Sequence, residues 1–397
     1  PPIVGTWSQL ASVKILDHLK ARKPLILAGA LGQALALLPL FILPILVPSN
    51  ATWLLLGAAT IYFAMGHVTV PAWNSVITEV VDADGRGAYF AKRAKVIAVA
   101  SFAALSVMGL TLHASESWKN PALGFGIGFL VASGARLISV KYLSRLPEAS
   151  PAPATRQLGL REFIRHDRSL MFRRFLLFTG SFHLATMIAG PFFVIYLLRD
   201  LHLTYVQYGA WLAAPILGQL VSLQEWGRIG DTFGNKKVLV VTGLAIPVLP
   251  ILYLFSTEWL ILVAINFLSG FIWPGFSLCL QNYVFDIVSP EDRTKGVAVY
   301  SAVNALGTGA GALVGGWLAS VTPSQILLFG STLPLASNLP ILFLASGVLR
   351  LVVSLTLLKT FEEGRTVTPI SHLQLVHELP LIKPLAAAIG VRGARLR

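Results

Sequence analysis

The chain is poor in charge and nearly devoid of cysteine. Only 12% of its 397 residues are Asp, Glu, Lys or Arg, about half the share found in water-soluble domains. The single cysteine, Cys279, sits in an apolar run. It excludes an internal disulfide and a thiolate metal site and reads as a small buried hydrophobe. The H-E-x-x-H, G-x-x-x-x-G-K-S/T and G-x-S-x-G patterns are missing, which removes the sequence basis for zinc hydrolase, phosphate-loop or nucleophile-elbow chemistry. Asp82, Asp84 and Gly85 lack the further oxygen ligands that a hard cation needs and read as an exposed turn. Neither an enzymatic constellation nor a resident cofactor or metal is expected. The chain starts at Pro1 rather than Met, with nothing like a signal peptide, and is expected to be trimmed at its start.

What the chain has in abundance is apolar sequence: 55% of residues are hydrophobic and the mean hydropathy is +0.72. A helix needs ~20 apolar residues to cross the hydrocarbon layer. Runs of about that length occupy 1–13 (a short one), 24–46, 53–79, 89–112, 122–143, 174–198, 206–224, 237–255, 259–285, 298–320 and 338–358. Pro39, Pro44, Pro71, Pro191, Pro247 and Pro274 inside them predict kinks rather than ends, because neighbouring helices satisfy the freed backbone groups. Gly307, Gly309, Gly311, Gly315 and Gly316 predict close helix packing.

The net charge of +13 comes from 31 Lys and Arg against 18 Asp and Glu. In a soluble protein this excess would point to nucleic acid. Sorting the basic residues by alternate loops instead places 29 on one side, nine of them between Arg136 and Arg174 and seven from Arg350 onward. Only Lys119 and Arg199 fall on the other. The positive-inside rule assigns the rich side to the cytoplasm, and nucleic acid drops out as a partner.

A polar segment, 144–173, holds Pro147, Pro151, Pro153 and an arginine series. It reads as a cytoplasmic linker with a weakly amphipathic surface stretch at 159–169. It separates an incomplete helical half (1–143, spans two to six) from a second half (174–358, spans seven to twelve), with a cytoplasmic tail at 359–397. The halves repeat each other. Pro2, Ile3, Val4 and Gly5 recur as Pro215, Ile216, Leu217 and Gly218, and Asp17, Arg22 and Lys23 as Asp231, Lys236 and Lys237, at offsets of 213 and 214. Trp53, Asn74, Glu79 and Arg86 recur as Trp259, Gln281, Asp286 and Arg293, at offsets of 206 and 207. The span equivalent to 174–198 has no counterpart, so the intact protein is expected to hold twelve helices, six plus six. One of them, and part of another, would be missing from this chain.

These residues resemble the major facilitator superfamily. Its loop signature, G-x-x-x-D-x-x-G-x-K/R-K/R, is matched by Gly227, Asp231, Gly234, Lys236 and Lys237. In the first half only Asp17, Arg22 and Lys23 match, with Val13 and Lys20 at the glycine positions. Pro71, Trp73, Asn74, Glu79, Arg86, Gly87, Tyr89 and Phe90 are similar to the fourth helix and following loop of bacterial members. The resemblance runs to about residue 360 and implies an all-α polytopic fold and transport of a small organic solute by alternating access, by a monomer in the cell membrane. On this reading Asp17, Asp231, Glu79, Asp286, Arg86 and Arg293 are gate latches, pairing in one access state and parting in the other.

Polar groups buried at membrane depth are costly and mark functional positions. His67, Gln33, Ser101, His183, Thr186, Asn266 and Asn304 lie near the predicted midplane. His67 and His183, one per half, are the candidates for carrying a coupling proton. Tyr62, Trp73, Trp273 and Tyr300 are candidate aromatic walls of a solute cavity. No deep unpaired carboxylate appears, which weighs against a strongly cationic solute. The competing reading is a polytopic protein that does not transport, either receptor-like or an inactive truncated carrier.

Overall fold

A computed structural model of the chain describes residues 21–41, 48–80, 86–117, 121–146, 170–288, 293–322, 325–328, 331–334 and 337–367, together with Ser8 and Ile15. The described residues are almost entirely helical and fall into two compact units, 1–158 and 159–397. The predicted span at 1–13, the amphipathic stretch at 159–169 and the residues beyond 367 lie outside this set.

The first unit contains α1 (Lys23–Leu37), α2 (Ala51–Val80), α3 (Arg86–Ser117) and α4 (Pro121–Leu143). α1 packs between α2 and α4, over a small core of Leu25, Ile26, Ala72 and Val76.

The second unit contains α5 (Leu170–Ala189), α6 (Phe192–Ile195), α7 (Tyr205–Phe233), α8 (Asn235–Ala245), α9 (Val248–Leu252), α10 (Trp259–Ile287), α11 (Arg293–Val321) and α12 (Leu339–Leu357). Pro191 and Pro247 each interrupt a span that then continues as a second helical segment, as their missing N–H demands. Pro215 and Pro274 lie inside unbroken helices. A short antiparallel hairpin, β1 (Gln325–Leu328) with β2 (Ser331–Pro334), interrupts the all-helical pattern before α12.

Close approach of backbones organises this unit. α11 runs alongside α5 in the same direction: a methyl on Gly307, Gly311 or Gly315 would overlap the carbonyls of Gly180, Leu184 and Ile188 in turn. The glycine stripe noted in the sequence is thus a true packing face at a spacing of four. Gly309 is not on this spacing, and Gly316 faces open space. α7 and α10 meet equally closely, Gly270 against the Pro215 backbone and Gly218 against the Phe267 carbonyl. Trp226 locks that seam, its indole N–H donating to Phe271 O at 2.7 Å.

Nine helical stretches among the described residues are long and apolar enough to span a bilayer. α7 is as long but carries Gln207, Gln219, Gln224, Glu225, Arg228 and Asp231. Large apolar side chains lie open on the outer faces, with Leu313 at 74% and Phe255 at 79% exposure. Apolar exposure on this scale is foreign to soluble monomers and suits hydrocarbon surroundings.

Candidate functional site

The best-built polar site forms where α7 turns into α8. Gly234 ends α7 at φ 103° and is also the N-cap of α8, which receives no side-chain cap of its own. The first N–H groups of a helix need acceptors and favour an anion. Glu363, beyond the end of α12, provides one, accepting the Lys236 N–H at 3.0 Å. A Cβ at Gly234 would overlap this carboxylate. The signature glycine is therefore explained twice, by its left-handed backbone and by the group lying on it. Gly227, by contrast, has only ordinary contact with Leu278 at 3.6 Å, and steric need does not account for it.

Around this cap, Asn235 Nδ2 donates to Asp286 Oδ2 at 2.6 Å. Arg365 donates to Gly230 O at 2.6 Å and lies 3.9 Å from both the Asp231 and the Asp286 carboxylates. Lys236 donates its ammonium to Leu358 O and sits 3.6 Å from the centroid of the Phe361 ring. Phe361 is buried among Phe175, Phe178 and Tyr283, with centroids 5.3–5.7 Å away. Tyr283 donates to Glu362 O. Arg174 donates to Thr360 O at 2.9 Å.

Residues 358–365 thus clip back across the turn and tie α5, α7, α8 and α10 together at one end of the unit. The sequence reading placed these residues in a tail without a sharper role, and this is a correction. The visible signal was the run Phe361, Glu362, Glu363, Gly364, Arg365, whose mixed charge and buried-type aromatic are unusual for a solvated tail.

Burial pushes the Glu363 carboxyl above the ordinary range, against the pull of the Lys236 and Gly364 N–H bonds; the Asp286 charge adds to the rise and Arg365 opposes it. An acid with a raised folded-state pKa favours the folded form while protonated, and that preference is lost as pH rises from the ordinary carboxylate value through the raised one. Glu363→Gln should flatten this part of the stability profile. Melting temperature measured across pH for both proteins checks it, with parallel curves as the contrary result.

The other predicted latch residues are only partly described. Asp17 lies outside the described residues, and the side chains of Glu79, Arg86 and Arg293 do as well. Arg22 is buried just before α1, and Lys23 opens that helix. Lys237 is half-buried beside the clip.

The membrane-depth candidates of the second unit make separate contacts. His183 Nδ1 lies 2.8 Å from Thr179 O. A carbonyl only accepts, so Nδ1 carries a proton, and in the neutral ring Nε2 keeps a lone pair. The Thr186 hydroxyl is engaged by its own helix, donating to Phe182 O at 2.8 Å. Asn304 Oδ1 is buried without a hydrogen-bond partner. Trp273 packs edge-on against Phe182 and Phe276, and Tyr300 stacks on Phe175; both belong to the aromatic core. Asn266 donates to Trp211 O at 2.7 Å.

In the first unit His67 is half-buried on α2 and Ser101 is exposed on α3, while Trp73 carries Arg93 over its ring at 4.4 Å. Tyr62 gives its carbonyl to Gln33 Nε2 at 3.2 Å. Gln33 Oε1 accepts from Arg136, so both ends of its amide are engaged between helices, and Gln33 serves as a helix tie rather than as a free cavity group.

Arg136 and Arg350 require the largest revision. Counted among loop charges, they lie inside α4 and α12, and Arg350 is only 4% exposed. Its Nε and Nη2 donate to Ser346 Oγ at 3.1 and 2.9 Å, and Nη2 also reaches Thr186 O at 3.3 Å.

Apolar outer faces, long kinked helices and a polar clip at one end of the unit define a polytopic α-helical membrane protein. Residues 175–382 match the family model of the Major Facilitator Superfamily, and the chain belongs to that superfamily. It is 26% identical over 270 residues to an uncharacterized MFS-type transporter, YceJ, of Bacillus subtilis, covering 66% of this chain and 64% of that protein. It is 23% identical over 133 residues to a probable peptide/nitrate transporter of Arabidopsis thaliana, 32% of this chain and 27% of that one. The chain thus spans less than two thirds of the length of these relatives. Two crystal structures of the nucleoside transporter NupG share the fold, with TM-scores of 0.67 and 0.63 at 12% and 14% identity, each covering 91% of this chain and 91% and 88% of theirs.

Proposed function

We propose that the protein is a secondary transporter that moves a small organic solute by alternating access, as a monomer in the cell membrane, with the 144–173 linker and the C-terminus in the cytoplasm. No enzymatic step or cofactor enters this reading. A proton is the candidate coupling ion, and His183, with a lone pair on Nε2, is the group suited to accept it.

The observation that carries the reading is the clip at the α7–α8 turn. Asp231 is 75% exposed and 3.9 Å from Arg365. Exposed pairs of this kind are worth about 0–1 kcal/mol, weak enough to part and re-form within a transport cycle. A permanent joint would be buried and bidentate. The basic excess on one side of the spans supports the assigned orientation.

The test is solute flux into proteoliposomes, first with the wild-type chain and then with Asp231→Asn. A pair worth up to about 1 kcal/mol shifts the latch equilibrium by up to about fivefold, so the variant should change the transport rate by about two- to fivefold at normal expression. Unchanged rates would remove the latch. A wild-type chain that binds a solute and never moves it would favour the receptor-like alternative.

A further inference from the structure

The two intramembrane arginines belong to an internal repeat that the loop motifs do not include. Phe129-Leu-Val-Ala-Ser-Gly-Ala-Arg136-Leu in α4 is echoed by Phe343-Leu-Ala-Ser-Gly-Val-Leu-Arg350-Leu in α12. The arginines are 214 positions apart, the offset that also relates Asp17 to Asp231. Each lies seven residues before the end of its helix, Leu143 or Leu357.

Each arginine has a serine one turn before it that bonds a neighbouring helix, although the two neighbouring helices, α1 and α5, are not repeats of each other. Ser133 donates to Ala34 O on α1 at 2.9 Å, and Arg136 reaches the adjacent residue, Gln33. Ser346 donates to Ala185 O on α5, and Arg350 reaches the adjacent residue, Thr186.

A guanidinium has five N–H donors and stays charged in proteins. Arg350 uses Nε and Nη2, while Nη1 makes no hydrogen bond to any described residue. Ser346 Oγ already accepts from the arginine and donates to Ala185. Neither α12 nor α5 contains an Asp or Glu, and neither do α4 and α1. In the first unit Arg136 Nε is buried without a partner.

Two simpler accounts fall short. A snorkelling arginine would lead its charge to the nearer membrane surface. Arg350 instead points back toward the N-terminus of its helix, onto Ser346 four residues earlier, as helical side chains do, and so moves deeper. A helix tie needs hydrogen bonds but no charge; Gln33 provides one without it. A positive charge kept at membrane depth with no counter-ion among the described residues calls for an anion from outside the chain.

We propose that Arg350 binds an anionic group of the transported solute, a carboxylate or a phosphate, and that Arg136 is its equivalent in the first half. This names the solute class for the transporter reading and rests on it.

The test uses the full chain in phosphatidylcholine nanodiscs, with melting temperature read against benzoate, succinate, glycerol 3-phosphate, glucose, uridine and choline. At least one of the three anions should raise the melting temperature by about 2–4 °C at saturating concentration; which one responds separates carboxylate from phosphate. Arg350→Lys keeps the charge and should retain a weaker response. Arg350→Gln keeps hydrogen-bonding capacity and should lose the response. A helix tie predicts the reverse order, and that result overturns the proposal. So does a wild-type chain that ignores all three anions, or one that responds equally to glucose, uridine or choline. If the Gln variant fails to fold, Arg350→Lys and Arg136→Gln carry the comparison. Anion binding without flux would leave Arg350 as an anion site while overturning the transporter reading and, with it, the assignment of that anion as a transported solute. Flux of a neutral solute, unaltered by Arg350→Gln, would do the opposite.

Discussion

Gly311→Leu is expected to leave almost no folded protein. A side chain there would have to occupy the space of the Leu184 carbonyl, and backbone cannot turn aside as a flexible side-chain tip can. Relief requires α11 to move off α5, which breaks the contacts of Gly307 and Gly315 as well, since the three lie on one stripe. Overpacking a well-fitted site costs about 1–3 kcal/mol, and separating two helices along three turns should exceed that range. Membrane helices gain much of their association from such close van der Waals contact. Gly316→Leu is the control, because nothing lies within 4 Å of its added Cβ. Retention of the monodisperse peak on size exclusion after a heating series separates the two: loss for Gly311→Leu, survival for Gly316→Leu. Equal survival would mean that the close α5–α11 seam does not govern stability.

Gly234→Val should open the clip while leaving the helices folded. At φ 103° a β-branched residue is strained by about 1–3 kcal/mol, and the new side chain displaces the Glu363 carboxylate. The α8 N-terminus then loses its acceptor, worth about 0.5–2 kcal/mol by analogy with local caps. Glu363, Arg365 and Phe361 act as one connected unit, so their contacts should fail together. The expected readout is faster trypsin cleavage after Arg365, by about tenfold or more if roughly 1.4 kcal/mol of docking energy is lost. Cleavage at the wild-type rate would show that the segment is held elsewhere. On the proposed function, the same variant should also alter flux more than Asp231→Asn does, because it removes the cap as well as the ion pair.

Sequence and structure agree at some residues and part at others. The spans at 53–79, 122–143, 259–285 and 338–358 differ from the helices by only a few residues at either end, because length and hydropathy alone decide what can cross a bilayer. The role of Gly234 was legible in kind, since a signature glycine before two lysines demands an unusual backbone. Its partner was not, because Glu363 lies 127 positions from Lys236 and no local pattern links them. Gln33 and Thr186 read as cavity groups because polarity at membrane depth is visible in sequence, whereas the acceptor that satisfies it is not. Arg136 and Arg350 were misassigned for a related reason. A positive charge near the end of an apolar run resembles a loop residue, and only the direction of the side chain shows that it turns inward.

The amino-acid sequence by itself determined the solvent, the helical spans and the repeat, because each follows from composition or from periodicity along the chain; the family entered as a resemblance carried by the loop signature. It also held the two Ala-Ser-Gly and arginine pairings, in which serine precedes arginine by three residues in α4 and by four in α12. Tertiary structure alone decided which glycines touch backbone, that residues beyond α12 cap a helix far upstream, and that Arg350 is buried. Those facts depend on which surfaces meet, and hydrogen bonds between distant segments leave no period in the sequence.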